Sequence, residues 1–151
     1  MPRVYSASFT EVAATAQQDL FQLEALTVPL QLHAVYLSQS SDVGDASAEN
    51  LSILIRRVTD AVTNDIAEVK IDSGDAAANA DIAVNETTEL TTGASTIHAT
   101  TWNILNEFIF LPPPEMRPTA VIGDVICVNL NTTPADALTI SGTAYFSEMG
   151  S

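Results

Sequence analysis

Basic residues are scarce in this chain of 151 residues, which has 5 lysines and arginines against 19 aspartates and glutamates. The formal net charge at pH 7 is therefore -14. Nucleic-acid binding needs clustered cations to neutralise phosphates, and the only adjacent basic pair, Arg56 and Arg57, falls inside a strand-like segment. The same deficit argues against binding to an anionic membrane surface. We therefore expect neither nucleic acid nor membrane as a partner.

Cysteine and long apolar runs are also scarce. A single cysteine, Cys127, excludes an internal disulfide, and its apolar neighbours indicate a buried small side chain. No segment approaches the ~20 apolar residues of a membrane span, and the N-terminus lacks the apolar stretch of a signal peptide. We expect synthesis in a cytoplasm.

Motifs that carry catalysis or bind cofactors are missing from the sequence. There is no Gly-x-Ser-x-Gly turn for a nucleophile, no Gly-rich phosphate loop and no paired-cysteine zinc pattern. The two histidines, His33 and His98, alternate with other residues in strand-like segments, where packing is their expected role. We therefore predict that the protein is not an enzyme and has no cofactor.

Acidic residues cluster in two predicted loops, residues 42–49 and 72–81. Carboxylates on a flexible loop suit calcium, but neither loop has the spacing of an EF-hand. We interpret both as solvated loops and assign no metal site; a bound cation is the alternative.

What the sequence does contain is a succession of short alternating segments. In the clearest one, residues 138–146, small and apolar residues at even positions alternate with Thr, Ser and Tyr at odd positions. Similar segments follow one another along the chain, at residues 4–12, 19–23, 30–37, 51–58, 95–102, 107–111 and 123–130. About eight or nine strands with little helix predict an all-β fold, a two-sheet β-sandwich of the jelly-roll type.

Residues 1–151 are predicted to form one β-sandwich domain with a long variable connection at about 59–92. Apolar residues recur at helical spacing in 58–71, which fits either one short helix or a long ordered loop. Small and acidic residues follow at 72–92, with a brief strand predicted at 82–84, and we expect this segment to be the most mobile part. Arg56 and Arg57 predict that the strand before it ends at solvent.

Three consecutive prolines follow the segment 107–111. Because Pro112, Pro113 and Pro114 donate no ladder hydrogen bonds, the strand before them must end at Leu111. We interpret them as a rigid corner between the sheets, and the alternative is a preformed edge for a neighbouring subunit. Arg117 is placed to pair with a carboxylate of its own chain or of a neighbour.

Five segments of the chain carry a recognisable pattern, and the most specific is Leu-Ser-Gln-Ser-Ser-Asp-Val-Gly-Asp at residues 37–45. The others are Arg-Val-Tyr-Ser at 3–6, Gln-Asp-Leu-Phe at 18–21, Pro-Glu-Met-Arg-Pro at 114–118 and Pro-Ala-Asp-Ala-Leu-Thr-Ile-Ser-Gly-Thr at 134–143. Together these segments resemble a family of small proteins of tailed bacteriophages, especially marine ones, that we take to be virion structural proteins. Residues 59–79 depart from the Gly/Ser/Pro-rich connection of the family.

The resemblance implies a particle component and assigns no catalytic residue. We interpret it as a capsid decoration, or cement, protein on the outer capsid surface of the virion. Its expected partners are the major capsid protein and further copies of itself, as a homotrimer. The alternatives are a head-fibre base or tail-associated virion protein, or a lectin-like module that binds carbohydrate or calcium.

Attachment is expected through neutral and apolar surface, with the acidic loops facing solvent. Trp102 has a second interpretation, as an anchor of the core. The candidate contact groups are Val4 and Tyr5 in the N-terminal arm, Trp102 with Phe108 and Phe110, and the corner of Pro112, Pro113, Pro114 and Arg117.

Overall fold

Alternating residues build two antiparallel sheets. The computed structural model describes residues 2–40 and 49–150. In chain order the strands are β1 (Arg3–Ala14), β2 (Gln18–Glu24), β3 (Leu30–Gln39), β4 (Asn50–Val58), β5 (Val69–Lys70), β6 (Asp81–Glu86), β7 (Ser95–Asn103), β8 (Phe108–Phe110), β9 (Thr119–Ala120), β10 (Val125–Leu130) and β11 (Leu138–Glu148). The larger sheet has the order β5-β1-β11-β3-β8, with β9 also on β3, and the smaller has the order β6-β2-β10-β4-β7.

The strand pairing is nested. β1 pairs with β11, β2 with β10, β3 with β8 and β4 with β7, and successive pairs alternate between the sheets. The first half of the chain therefore folds back along the second half as one long hairpin rolled into a sandwich, which is the strand order of a jelly roll. This confirms the predicted fold class. β5 and β6 lie within the connection from β4 to β7, and β9 lies between β8 and β10.

The core lies between the two sheets and is built by residues of alternating strands. On β1, Tyr5 and Phe9 point inward, where Tyr5 stacks on Phe146 at 5.4 Å between ring centroids and Phe9 lies 5.2 Å from Phe21. The even positions of 138–146 are all buried, as their alternation predicts. Period-two patterning is therefore a sufficient guide to the inward face of these strands.

The segment after β4 is a loop, so the structure selects one of the two predicted alternatives for residues 58–71. Its backbone groups bond to the sheet instead of to one another: Val62 N–H donates to the Glu24 carboxylate at 2.8 Å, and Ile66 N–H donates to the Ile82 carbonyl at 2.7 Å. The strand predicted at 82–84 is present as β6.

Helix is nearly missing from residues 2–40 and 49–150. The helical segment found there is a 3-10 turn at Pro114–Met116, directly after the strand that the prolines end. β8 closes at Phe110, one residue before the predicted boundary. In this part of the chain no helix is long and apolar enough to cross a bilayer.

Candidate interaction surface

The outer face of the five-stranded sheet is covered by the connection between β4 and β7. Val62 and Leu90 of this connection pack on a small apolar cluster that includes Val58, Val125 and Cys127 of the sheet. The outward side of β10 is consequently fully buried, although the sheet lies at the outside of the sandwich. We call residues 59–92 the roof.

A buried polar cluster under the roof is centred on Asp19 of β2, whose side chain is fully buried. The side chain of Arg56, opposite it on β4, is only 11% exposed. Asp19 accepts hydrogen bonds from Gln22 Nε2 at 2.8 Å, Leu90 N–H at 2.8 Å, Asn129 Nδ2 at 2.9 Å and Arg56 at 3.4 Å. The sequence prediction that Arg56 ends its strand at solvent is therefore wrong, because the roof folds over the guanidinium and Asp19 neutralises it.

Arg57 also turns away from bulk solvent. It is half-buried and donates two hydrogen bonds, of 3.2 Å and 2.8 Å, to the carbonyl of Thr119 at the end of the sandwich. The predicted solvent end of β4 is thus wrong for Arg56, whereas Arg57 stays partly exposed. Each arginine contacts a later segment of the chain that its own neighbours in sequence do not reveal.

Further hydrogen bonds tie the roof down at its margin. Asp60 accepts the N–H groups of Thr91 and Thr92 at 2.9 Å and 2.8 Å, and its hydrogen bonds with Thr92, followed by the one with Thr91, lower the pKa of its carboxyl. Gln22 donates to the Thr88 carbonyl at 3.2 Å. Several bonds therefore hold the segment that the sequence marks as the most mobile.

Cys127 lies in the sheet under the roof and is fully buried. Burial, and then the negative charge of Asp19, raises the pKa of its thiol far above the usual range. Because the thiolate is the reactive form, we expect the group to be unreactive in the folded chain. The interpretation of Cys127 as a buried small side chain is confirmed.

The outer face of the six-stranded sheet has the opposite character: among the described residues no roof covers it, and along β1, β3, β8 and β11 its one charged side chain is Glu11, at the bulge of β1. Two of its rings, Tyr36 and Tyr145, meet edge to face at 6.1 Å. By register and alternation, its outward residues include Val4, Ser6, Ser8, Thr10, Glu11, His33, Tyr36, Ser38, Ile109, Thr139, Ser141, Thr143, Tyr145 and Ser147. We call this surface the neutral face; hydroxyl groups dominate it.

A shallow hollow of about 220 Å³ lies in the neutral face above Gly142. Glu107 stands at its margin, and Ser8, Thr143 and Tyr36 are among its lining residues. Gly142 has no side chain because its inward side is crowded: a Cβ there would lie 2.7 Å from Leu37 Cδ2.

Four of the predicted contact residues are core residues of the folded chain. Tyr5 is fully buried and its hydroxyl donates to the Ala76 carbonyl at 3.1 Å. Trp102 is 2% exposed, and its indole N–H donates to the Asn106 carbonyl at 2.8 Å. Phe108 and Phe110 are buried as well. Aromatic residues on alternating strands point inward here, so these four side chains pack in the core.

The other predicted contact residues remain accessible. Val4 lies on the neutral face and is half-buried. In the corner, Pro113 and Pro114 are exposed, while Pro112 and Arg117 are half-buried. Among residues 2–40 and 49–150, no carboxylate lies within ion-pair distance of Arg117. The corner also presents Met116, which is 70% exposed.

The two acidic loops provide no metal centre within the described residues. Asp42 and Asp45 lie outside them; Glu49 accepts the Ala135 N–H at 2.6 Å. In the second loop, Asp72 accepts the Gly74 N–H at 2.9 Å. Across residues 2–40 and 49–150, no three His, Cys, Asp or Glu side chains come together in an arrangement that could hold a metal ion.

No family model, curated protein or solved structure matches this chain. The functional proposal therefore rests on the surface of the molecule. The hydroxyl groups of the neutral face are visible in the sequence as the odd positions of 138–146, but alternation does not tell which of two sheets is left bare. The Asp19 cluster carries no signal in sequence, since its members are distant along the chain.

Proposed function

We propose that this chain is a non-enzymatic bacteriophage virion protein, a capsid decoration protein that binds the outer face of the major-capsid lattice and stabilises the head. One observation carries the proposal: a protein with a net charge of -14 leaves the outer face of one sheet nearly uncharged, with Glu11 as the one charged side chain along β1, β3, β8 and β11 in the described residues. Such a face loses little on desolvation compared with a carboxylate surface. It is therefore the part of the molecule best suited to a protein contact.

The size of the neutral face sets what it can do. Three neighbouring strands, β1, β11 and β3, give a width of about 15 Å, and nine or so residues give a length of about 30 Å. The resulting area of about 450 Å² is roughly half of the ~800 Å² that each partner buries in a stable interface. A second contact is needed, and the corner at Pro113, Pro114 and Met116 supplies exposed apolar surface for it. Repetition over a symmetric lattice multiplies each small contact.

The charge distribution supports the outer side of a shell. The part of the roof around Val62 and Leu90 covers the sheet opposite to the neutral face, so contact through the neutral face leaves that part in solvent. The middle of the roof, at β5, lies beside β1 at the margin of the neutral face. On the inner side, the same charge would oppose packed DNA. The jelly roll occurs in capsid proteins and also in lectins, and by itself it does not choose between them.

The test locates the chain in virions of the phage that encodes it and then perturbs the neutral face. Thr143→Glu places a carboxylate at the centre of the face, while Thr63→Glu makes the same change on the exposed roof. We expect Thr143→Glu to lower occupancy on heads at least tenfold and Thr63→Glu to leave it unchanged. Attachment should also survive moderate salt, since screening does not weaken apolar contacts. Density on the inner face of the shell, or equal occupancy for both variants, would refute the proposal.

A further inference from the structure

Within residues 2–40 and 49–150, strand β7 is an open sheet edge without the usual protection. It pairs with β4 on one side, and it contains no charged residue and no proline. Residues 95–99 are all exposed. Natural edges are normally short, charged or interrupted by proline, because unpaired backbone groups attract another strand. The one protective feature of β7 is a bulge at Ile97, and the pairing of His98–Asn103 with β4 is unbroken.

The direction of the free backbone groups follows from the register with β4. Ile104 N–H donates to the Glu49 carbonyl at 3.1 Å, so Ile104 and Glu49 form a hydrogen-bonded pair of the ladder. Two residues earlier on β7, Trp102 faces Leu51 and is again in a hydrogen-bonded pair. Because bonded and non-bonded pairs alternate in an antiparallel ladder, the N–H and C=O groups of Ala99 and Thr101 point away from β4. No group in residues 2–40 and 49–150 bonds to them.

The other edge strands of the described residues are too short or too charged to attract a second strand in the same way. β5 and β9 have two residues each and β8 has three. β6 is longer, but it begins at Asp81 and ends at Glu86, so both of its ends are acidic. β7 is therefore the one edge in this part of the chain that is both long and uncharged.

An opening of about 350 Å³ lies beside β7, between the edges of the two sheets. Trp102, Phe108 and Ile109 line it together with polar residues that include His98, Asn103 and Glu107, and Ile109 is 54% exposed. The His98 ring lies 4.9 Å from the Phe110 ring. A strand added to β7 would cover the exposed Ile109 as well as satisfy the backbone groups.

We propose that β7 pairs antiparallel with β7 of a second copy of this chain, around a twofold axis at Thr100. Ala99 then faces Thr101 of the partner subunit, and the two such pairs make four backbone hydrogen bonds. Thr100 faces its own copy on the axis, a cross-strand threonine pair that stabilises sheets. The two five-stranded sheets join into one of ten strands.

Charge permits a second copy at this edge. Two chains of -14 repel each other, and the repulsion is weakest where both surfaces are neutral, as they are along β7. An antiparallel edge is also self-complementary, which a twofold interface requires. The expected assembly is a dimer, in place of the trimer that the resemblance implies.

The inference goes beyond the capsid role, and the purified full chain tests it without any particle. Thr101→Lys places a charge on the free edge; Thr87→Lys makes the same change at an exposed threonine of the roof. Both variants lower the net negative charge equally, so general repulsion cannot explain a difference between them. We expect a dimer for the unchanged chain and for Thr87→Lys by sedimentation at tens of micromolar, and a dissociation constant at least tenfold higher for Thr101→Lys.

Hydrogen exchange supplies a readout that a folding defect would not mimic. The amides of Ala99 and Thr101 should become protected as protein concentration rises, while exposed roof amides should not change. Fast exchange of both amides at all concentrations would overturn the proposal. A monomer at these concentrations, or a trimer unaffected by Thr101→Lys, would overturn it equally, and either result would leave the capsid role untouched.

Discussion

Replacing Asp19 by alanine should destabilise the protein strongly. The change removes the one carboxylate that neutralises Arg56, whose side chain is 11% exposed, and it leaves the Leu90 N–H without its acceptor. Breaking a buried ion pair by deleting one partner costs about 3–5 kcal/mol. That is at least about a fifth of the ~5–15 kcal/mol by which a typical domain is stable.

Urea unfolding followed by fluorescence measures this loss, because the single tryptophan, Trp102, is buried in the core. With a slope of about 2 kcal/mol per molar urea, the midpoint should fall by about 2 M. The roof should also loosen, so chymotrypsin should cut after Leu90 at concentrations that spare the unchanged chain.

A double variant separates the ion pair from a general packing defect. Arg56→Met in the Asp19→Ala background removes the uncompensated cation, and we expect it to recover a substantial part of the lost free energy of unfolding. A loss below about 1 kcal/mol for Asp19→Ala, or strictly additive effects of the two substitutions, would show that the ion pair of Asp19 and Arg56 does not stabilise the packing of the roof on the sheet.

Three further predictions concern single positions. Burial, and then the positive charge of Arg117, lowers the pKa of His33 in the folded chain below the ordinary value of about 6.5 that it has in the unfolded chain. Between these two pKa values the unfolded chain binds more protons than the folded chain. Stability should therefore fall as pH drops below about 6.5, and a His33→Gln variant should show a flatter dependence in urea titrations; the same slope in both would contradict this. Cys127 should fail to react with a thiol reagent until the protein unfolds, and rapid labelling of the native chain would show that its burial is wrong. Gly142→Ala should lower the free energy of unfolding by about 1–3 kcal/mol, because its methyl group would overpack against Leu37 and Phe9. Thermal unfolding would detect this loss. An unchanged melting temperature would mean that the core has room for a methyl group there.

Much of the fold could be predicted from local pattern. The alternation in 138–146 identifies its inward residues, because a strand has a period of two and one of its faces must be buried. The three prolines end the preceding strand for an equally local reason, since they cannot donate to a ladder. The strand at 82–84 and the buried cysteine follow from the same kind of evidence.

The interaction surface could not be predicted in this way. Alternation marks the aromatic groups Trp102, Phe108 and Phe110 as one side of their strands, but only the stacking of the two sheets shows that this side faces the core. The same holds for β7, whose free edge exists because no strand of the described chain lies beyond it.

Sequence by itself determined the all-β class, the strand faces and the lack of catalytic motifs, because each depends on neighbours along the chain. Only the tertiary structure decided which sheet face is roofed and which is bare. Arg56 shows the reason: its partner Asp19 is 37 residues away and the Leu90 carbonyl that it also contacts is 34 residues away. Whether a charged side chain meets solvent or a buried carboxylate depends on which distant segment folds over it, and that is settled by the packing of the whole chain.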